Sequence, residues 1–579
     1  FDAALEVRSR MVTSRRDQTL LSQVGRFLVE EGLGAEAVLF FREGVSAADR
    51  SSNPIERSLA RSNLASGLAA TGRIEEAEEA LAAAAIEASR IEDAAARRDT
   101  QADLGLVEAA LYAETDRAKS LRALSRAEAF ARDSEASLHL IRILGQRAKL
   151  LAAADPDAAQ LAFDRALQEI RRRNGLLADP SRQLSYLQQS REIVEAAVAF
   201  ELDRQRPERA FAYQDRMRAV LLNAARRRRG LAHRSRDVAA IRRSLPHGDG
   251  LLVYVVLPHR LVIFVVGHGV WKVHQRAVAR EDLGRAVRRW VGSLRGPSGD
   301  EDAEVGAWLG DMLIPPEAAA FERLVLVPCG DLHLVPFAAL PTGSDASRLV
   351  DRVPILIAPG ASTYLDLVGS PRPEVDTASL LLVGGFTPSV RHYPQLSGTL
   401  RGFRRVADSL RAGAGSFDTL SGQQATAGRF LRELPRHRVV IFTGHGISAV
   451  SPLDSAGLVL APASEDDDGF VSVHDVERIG EPVMTRLAIL ASCGSGAGPV
   501  SASEGPLSIA RPFFEVGVHS VVASLWEVED SQAGRFIADL VVGGRRPTAA
   551  TLREVQMRWE QRGEPAASWA AFQWLGRGD

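Results

Sequence analysis

Cysteine is nearly absent from this chain: Cys329 and Cys493 are the only two in 579 residues. So few, so far apart, exclude a disulfide framework and fit a reducing compartment, so a cytoplasmic setting is expected. Lysine is scarce too, with Lys119, Lys149 and Lys272 as the only examples. Arginine therefore carries almost all the positive charge, which we read as GC-rich coding bias. A formal net charge of −2 gives no reason to expect direct nucleic-acid binding or an anionic membrane as partner. No apolar run approaches the roughly 18 residues that a membrane-spanning helix requires. Scattered histidines and two distant cysteines form no ligand cluster, so neither a metal nor a cofactor is expected. The first residue is Phe1, not Met, so the natural start is expected upstream. What remains is an ordinary globular composition, 46% hydrophobic and 25% charged, too long for a single core.

The chain changes period near its middle. Residues 1–225 are Ala- and Leu-rich with helical spacing, and they repeat. The stretches "GLGAEAVLFF" (32–41), "TGRIEEAEEAL" (71–81), "ETDRAKSLRAL" (114–124), "ADPDAAQLAF" (154–163) and "RQRPERAFAY" (204–213) each set a turn before a helix. Comparable alanines fall at Ala37, Ala77, Ala118, Ala159 and Ala210. A repeat of this length predicts helix-turn-helix units stacked into a solenoid, because one helical pair cannot bury its apolar face alone. The segment "NLASGLAATGRIEEAEEALAAAA" (63–85) resembles the tetratricopeptide (TPR) pattern. Its expected role is to bind a protein substrate or activator, with a spacer arm as the plainer reading. "RRRR" (226–229) reads as a solvated helix end opening a linker over 226–249.

From residue 250 short apolar runs alternate with amphipathic helices. "LLVYVVL" (251–257) and "LVIFVVG" (261–267) predict an antiparallel hairpin. Runs at 323–329, 379–385, 438–444, 486–492 and 519–525, with helices between them, predict a mostly parallel sheet covered by helices on both faces. Ligands bind outside the carboxyl ends of such strands. Two of these strands run into candidate reactive residues: "RVVIFTGHG" reaches His445 and "RLAILASCGSG" reaches Cys493. Were the two strands neighbours, about 4.8 Å apart, a thiol and the imidazole that takes its proton would share one cleft. Gly446 and Gly494 allow backbone N–H groups to turn inward toward an oxyanion. The plainer reading is a tight turn that contains a histidine and a small buried thiol. Cys329 ends a strand without a His-Gly turn and is read as structural. No G-x-S-x-G elbow is present, which disfavours a serine hydrolase.

These residues resemble a known family. "LHLVPFAALP" (332–341), "FTGHG" (442–446), "LDSAGLVLAP" (453–462), "LAILASCGSG" (487–496), "EGPLSIARPFFEVGVHSVVASLWEVED" (504–530) and "TAATLREVQMRW" (548–559) resemble the CHAT domain, a caspase-like (clan CD) cysteine protease domain often found behind TPR repeats. The resemblance implies an all-α TPR-like solenoid (1–225), a linker (226–249) and an α/β caspase-like domain (250–579), the last comprising an N-terminal subregion (250–375) and a catalytic core (376–579). It implies a cysteine endopeptidase with Cys493 as nucleophile, His445 as base, and the backbone N–H groups of Gly446 and Cys493 as oxyanion hole. It further implies that the protein cleaves a specific protein partner, in bacterial stress signalling or antiphage defence. Relatives that cut after basic residues often carry an acid two positions before the cysteine; here that position is Ala491. Trp526, Glu527 and Asp530 are expected along the same pocket, Asp530 alternatively as a helix cap. Glu504, Asp454 and Ser455 read as solvated rim residues, and "SEDDDGF" (464–470) as an exposed hairpin turn. The alternative function is a non-catalytic TPR scaffold with a protease-like domain.

Overall fold

A computed structural model describes residues 18–578 apart from 133–137, 178, 232, 297–300, 344–346, 371–378, 387–398, 414–415, 448–455, 481–482, 493, 497, 499, 502–503, 507 and 545. Its internal contacts divide the chain into two compact units, 1–200 and 201–579. The class expected from sequence is observed: an all-helical region, then a largely parallel mixed sheet with helices.

In the first unit, sequence-adjacent helices pack as hairpins: Gln18–Glu30 with Gly34–Ala48, Pro54–Ala70 with Ile74–Ser89, Ala94–Leu111 with Arg117–Ala131, and His139–Leu151 with Pro156–Asn174. The cap position of the second helix in each pair is held by Leu33, Arg73, Asp116 or Asp155, of which the two aspartates also accept a backbone N–H through their side chains. Four residues beyond the cap comes a fully buried small residue: Ala37, Ala77, Ser120 or Ala159. Its N–H donates to the carbonyl of the cap residue in every case. Counting from the cap corrects one sequence assignment. Ala118 is exposed, and Ser120 takes its place because its hydroxyl can donate to the Ala109 carbonyl (2.7 Å). A compact residue is needed there, and serine meets that need once its hydroxyl is paired.

The second unit begins with helices Pro207–Arg216, Val220–Arg228 and Val238–Ser244, so residues 226–249 pack with the sheet unit. Asp215 accepts from the N–H groups of Ala361 and Ser362 (3.0 and 3.2 Å) at the start of helix Ala361–Val368. The arginine run is only partly solvated. Arg227 and Arg228 are exposed, but Arg226 is 2% exposed and donates to the Phe514 carbonyl (2.8 Å). Arg229 donates to the carbonyls of Ile479 and Glu477. These arginines meet carbonyls at or near the ends of the short helices Val473–Glu477 and Arg511–Glu515, a role that a charge count cannot reveal.

The main sheet has eleven strands, which we number along the chain: β1 (Asp249–Val256), β2 (Arg260–Gly267), β3 (Val270–Ala277), β4 (Arg323–Val327), β5 (Ile355–Ile357), β6 (Leu380–Gly384), β7 (Asp418–Ser421), β8 (Val439–Thr443), β9 (Leu487–Ala491), β10 (Ser520–Ser524) and β11 (Phe572–Gly576). Their order is β3-β2-β1-β4-β5-β11-β10-β9-β8-β6-β7. β1, β2 and β3 form an antiparallel meander. β1, β4 and β5 are parallel to one another, and β7, β6, β8, β9 and β10 form a second parallel block. β11 is the seam between blocks, parallel to β5 and antiparallel to β10.

Alternation along these strands sorts the two faces. Leu381, Val383, Val440, Phe442, Ala488, Leu490, Val521 and Ala523 share one cluster with Leu222, Phe430 and Phe513. Helices Thr399–Arg411 and Asp530–Leu540 lie outside that cluster and pack on each other and on β6, β8 and β9. Their crossing is set by two glycines: a Cβ on Gly534 would stand 2.5 Å from the Gly402 Cα. Gly534→Ala should therefore cost about 1–3 kcal/mol through overpacking, read as a lower denaturant midpoint. Gly428→Ala, on a helix with nothing within 4 Å of the new methyl, should cost nothing. Equal midpoints for the two variants would refute this account of the crossing.

Candidate active site

β8 and β9 are adjacent and parallel, with Val439 opposite Leu487 and Thr443 opposite Ala491. His445 stands two residues beyond Thr443, and Cys493 the same distance beyond Ala491. Cys493 itself lies outside the described residues, as do Asp454 and Ser455. The residues on either side of it are held by the neighbouring strand. Ser524 Oγ donates to the Ser492 carbonyl (3.0 Å), and the Gly494 N–H donates to the Trp526 carbonyl (3.4 Å). The Gly494 amide thus turns toward Trp526.

After β8 the chain bends at Gly444 and enters a short strand, Gly446–Ile447, which pairs with Gly457–Val459. The His445 carbonyl accepts from the Val459 N–H (3.0 Å), which fixes the backbone of the half-buried histidine. Gly446 pairs with Leu458 at a position between ladder bonds, so its own amide points away from that partner strand. There is no room for a side chain at this position: a Cβ on Gly446 would lie 2.8 Å from Ser492 Oγ and 3.1 Å from Ile509 Cδ1. The histidine turn and the residue before Cys493 are therefore in direct apposition. Ser492 Oγ is buried without a hydrogen-bond partner among the described residues.

The remaining site expectations fall in different places. Ala491 ends β9 and is buried. Trp526 is 5% exposed and its indole N–H donates to the Ala567 carbonyl (2.9 Å), so its ring belongs to the interior. Glu527 is exposed and Asp530 half-buried. Asp530 is the first residue of its helix and Glu529 occupies the cap position without a side-chain cap bond. Burial holds the Asp530 carboxyl above the ordinary carboxylate range, with nearby His445 pulling it back down and Glu529 pushing it up. This electrostatic link to His445 was not legible in sequence, where 85 residues separate the two.

Glu504 overturns its sequence assignment. Its side chain is fully buried and pairs with Arg511 at 3.0 Å. A lone acid in a Gly/Ser-rich segment reads as solvated, and only the fold reveals the cation and amides that receive it. The "SEDDDGF" segment does join two antiparallel strands, Gly457–Val459 and Phe470–Ser472, with residues 463–466 exposed. Cys329 is buried and its sulfur accepts from the Val256 N–H (3.2 Å). Among the described residues no group of three His, Cys, Asp or Glu side chains is placed to hold a metal ion, and no helix is long and apolar enough to cross a membrane.

A family model described as the CHAT domain matches residues 303–577. No curated protein sequence matches the chain. Among solved structures, the chain is similar to the Saccharomyces cerevisiae separase–securin complex, with a TM-score of 0.41 and 10% identity over 97% of this chain and 53% of that one. The chain thus spans about half the length of that relative. It is also similar to the Arg-specific cysteine proteinase gingipain R, with a TM-score of 0.34 and 11% identity over 52% of this chain and 74% of that one. A putative kinesin light chain with nearly identical TPR-like repeats, from Podosopora anserina, gives a TM-score of 0.24 and 14% identity over 37% and 98% of the two chains. Residues 303–577 of this chain are thus similar to the CHAT domain.

Proposed function

We propose that this chain is a cysteine endopeptidase acting through Cys493 and His445. The observation that carries the reading is the register of β8 and β9, which leaves the two residues equally far beyond paired strand ends. The apposition of Gly446 and Ser492 supports it. In the reaction, His445 takes the Cys493 thiol proton and the sulfur attacks the scissile carbonyl carbon. The oxyanion forms against the Gly446 and Cys493 amides. His445 then protonates the departing amine, and water hydrolyses the thioester to return the thiol. Ala491 contributes no negative charge to the pocket, so a basic residue before the cut gains no ion pair there. The repeat helices recruit a protein substrate or activator, in a bacterial defence or stress response.

The test is mass-spectrometric mapping of new protein N-termini in cells expressing the intact chain or Cys493→Ala. Cleavages found only with the cysteine are the expected result and would identify substrate and specificity together. Identical maps, in the presence of a partner captured by the repeats, would sink the proposal in favour of a scaffold.

A further inference from the structure

Helix Val220–Arg228 has no cap of its own. The residue before it, Ala219, is buried in a left-handed conformation (φ 49°) and its side chain makes no capping bond. The helix's first-turn amides are met instead by Glu504. Leu221 N–H donates to Glu504 Oε1 (2.9 Å) and Leu222 N–H to Oε2 (3.4 Å). A carboxylate suits this place, since it meets both the orphan donors and the positive end of the helix dipole. A left-handed alanine is strained and persists only where its surroundings hold it.

The contact continues to the residues beside Cys493. Arg511 Nη2 pairs with Glu504 Oε2 (3.0 Å) and its Nε donates to Glu515 (2.9 Å). The adjacent Ala510 N–H donates to the Ser495 carbonyl (3.2 Å). Ser495 Oγ donates to the Leu490 carbonyl (3.0 Å) and accepts from the Ser524 N–H (3.1 Å). Beneath this segment lies a cavity of about 70 Å³ lined by Leu222, His333, Gly496, Gly505 and Phe514, which leaves space for the segment to shift. A polar path thus runs from the start of helix Val220–Arg228 to the backbone on the far side of Cys493.

We infer that Glu504 is a positioning residue that makes the seating of helix Val220–Arg228 a condition for the geometry around Cys493. The inference rests on the protease reading for its consequence, and its mechanical part stands independently. Displacing the helix strips Glu504 of two donors, and the buried carboxylate and its segment must then rearrange.

Hydrogen exchange followed by mass spectrometry on the full chain reads the mechanical part. Glu504→Ala should speed exchange about tenfold, both over 220–224 and over 494–511. Glu504→Gln, which keeps an acceptor for Leu221, should restore part of the protection, and it carries the test if the alanine variant does not fold. Faster exchange over 220–224 with 494–511 unchanged would reduce Glu504 to a local cap and overturn the inference. On a cleavable substrate, Glu504→Ala should lower kcat about tenfold with KM little changed; an unchanged kcat in a chain that shows the coupled exchange would overturn the control role. Absence of cleavage by every variant would count against the protease reading alone, since the exchange data decide the coupling without it.

Discussion

His445→Ala should cut turnover of a cleavable substrate by about 10³-fold, the effect of removing a positioned general base. Alkylation of Cys493 at neutral pH should slow as well, because the thiolate loses its imidazolium partner. Cys329, buried against the Val256 amide, is the internal control and should label at the same slow rate in both proteins. Unchanged turnover would remove His445 from the mechanism. Asp530→Asn gives a graded version of the same test. The carboxylate feels the charge of His445, which favours its ionised form, and that of Glu529, which opposes it. Losing this charge should slow alkylation of Cys493 about tenfold at neutral pH. Because burial already penalises this charge, the substitution should not lower the unfolding midpoint. A stability loss with an unchanged alkylation rate would make Asp530 a purely structural residue.

Arg511→Met should destabilise the second unit by about 3–5 kcal/mol, the usual consequence of removing one member of a buried ion cluster. Arg511 is 11% exposed and pairs with Glu504 and Glu515, whose side chains are 0% and 10% exposed. Methionine fills similar volume but leaves two carboxylates without a cation. The pH dependence follows from Glu515, whose carboxyl burial already holds above the ordinary range despite the pull of Arg511. Without the arginine it rises further. A carboxyl raised in the folded state favours folding at pH below its unfolded value, and that contribution is lost as pH rises through the folded value. The deficit of Arg511→Met should therefore be smallest near about pH 4 and grow toward neutrality. Urea unfolding at several pH values checks this. A deficit that widens on acidification would show that the cluster is not the source of the effect.

The strands that hold the site were legible because each is a short apolar run buried on both faces, and β8, β9 and β10 fall where those runs lie. Their adjacency was not legible, since nothing in "VVIFT" or "LAILA" names a neighbour. The last strand, "FQWLG", escaped notice because a polar Gln573 interrupts it and its partners lie at 355–357 and 520–524. Charged residues misled for one physical reason. Arg226, Arg229 and Glu504 read as solvated from composition, yet each is bound to backbone groups hundreds of positions away in the sequence. Ala118 failed differently: the repeat is counted from the helix cap, and the residue at the buried position is a serine.

The seam strand has a consequence for how the protein comes into being. β11 lies later in the chain than every other strand of its sheet, yet it sits between the two parallel blocks. On the ribosome, β8 and β9 emerge well before the strand that joins their block to β5, at a pace of roughly 5–20 residues per second. A nascent chain therefore carries the histidine and the cysteine for several seconds while its sheet is still in two pieces. If intact geometry is what arms the thiol, a newborn polypeptide is harmless to its neighbours until β11 arrives, and the topology itself serves as a timer.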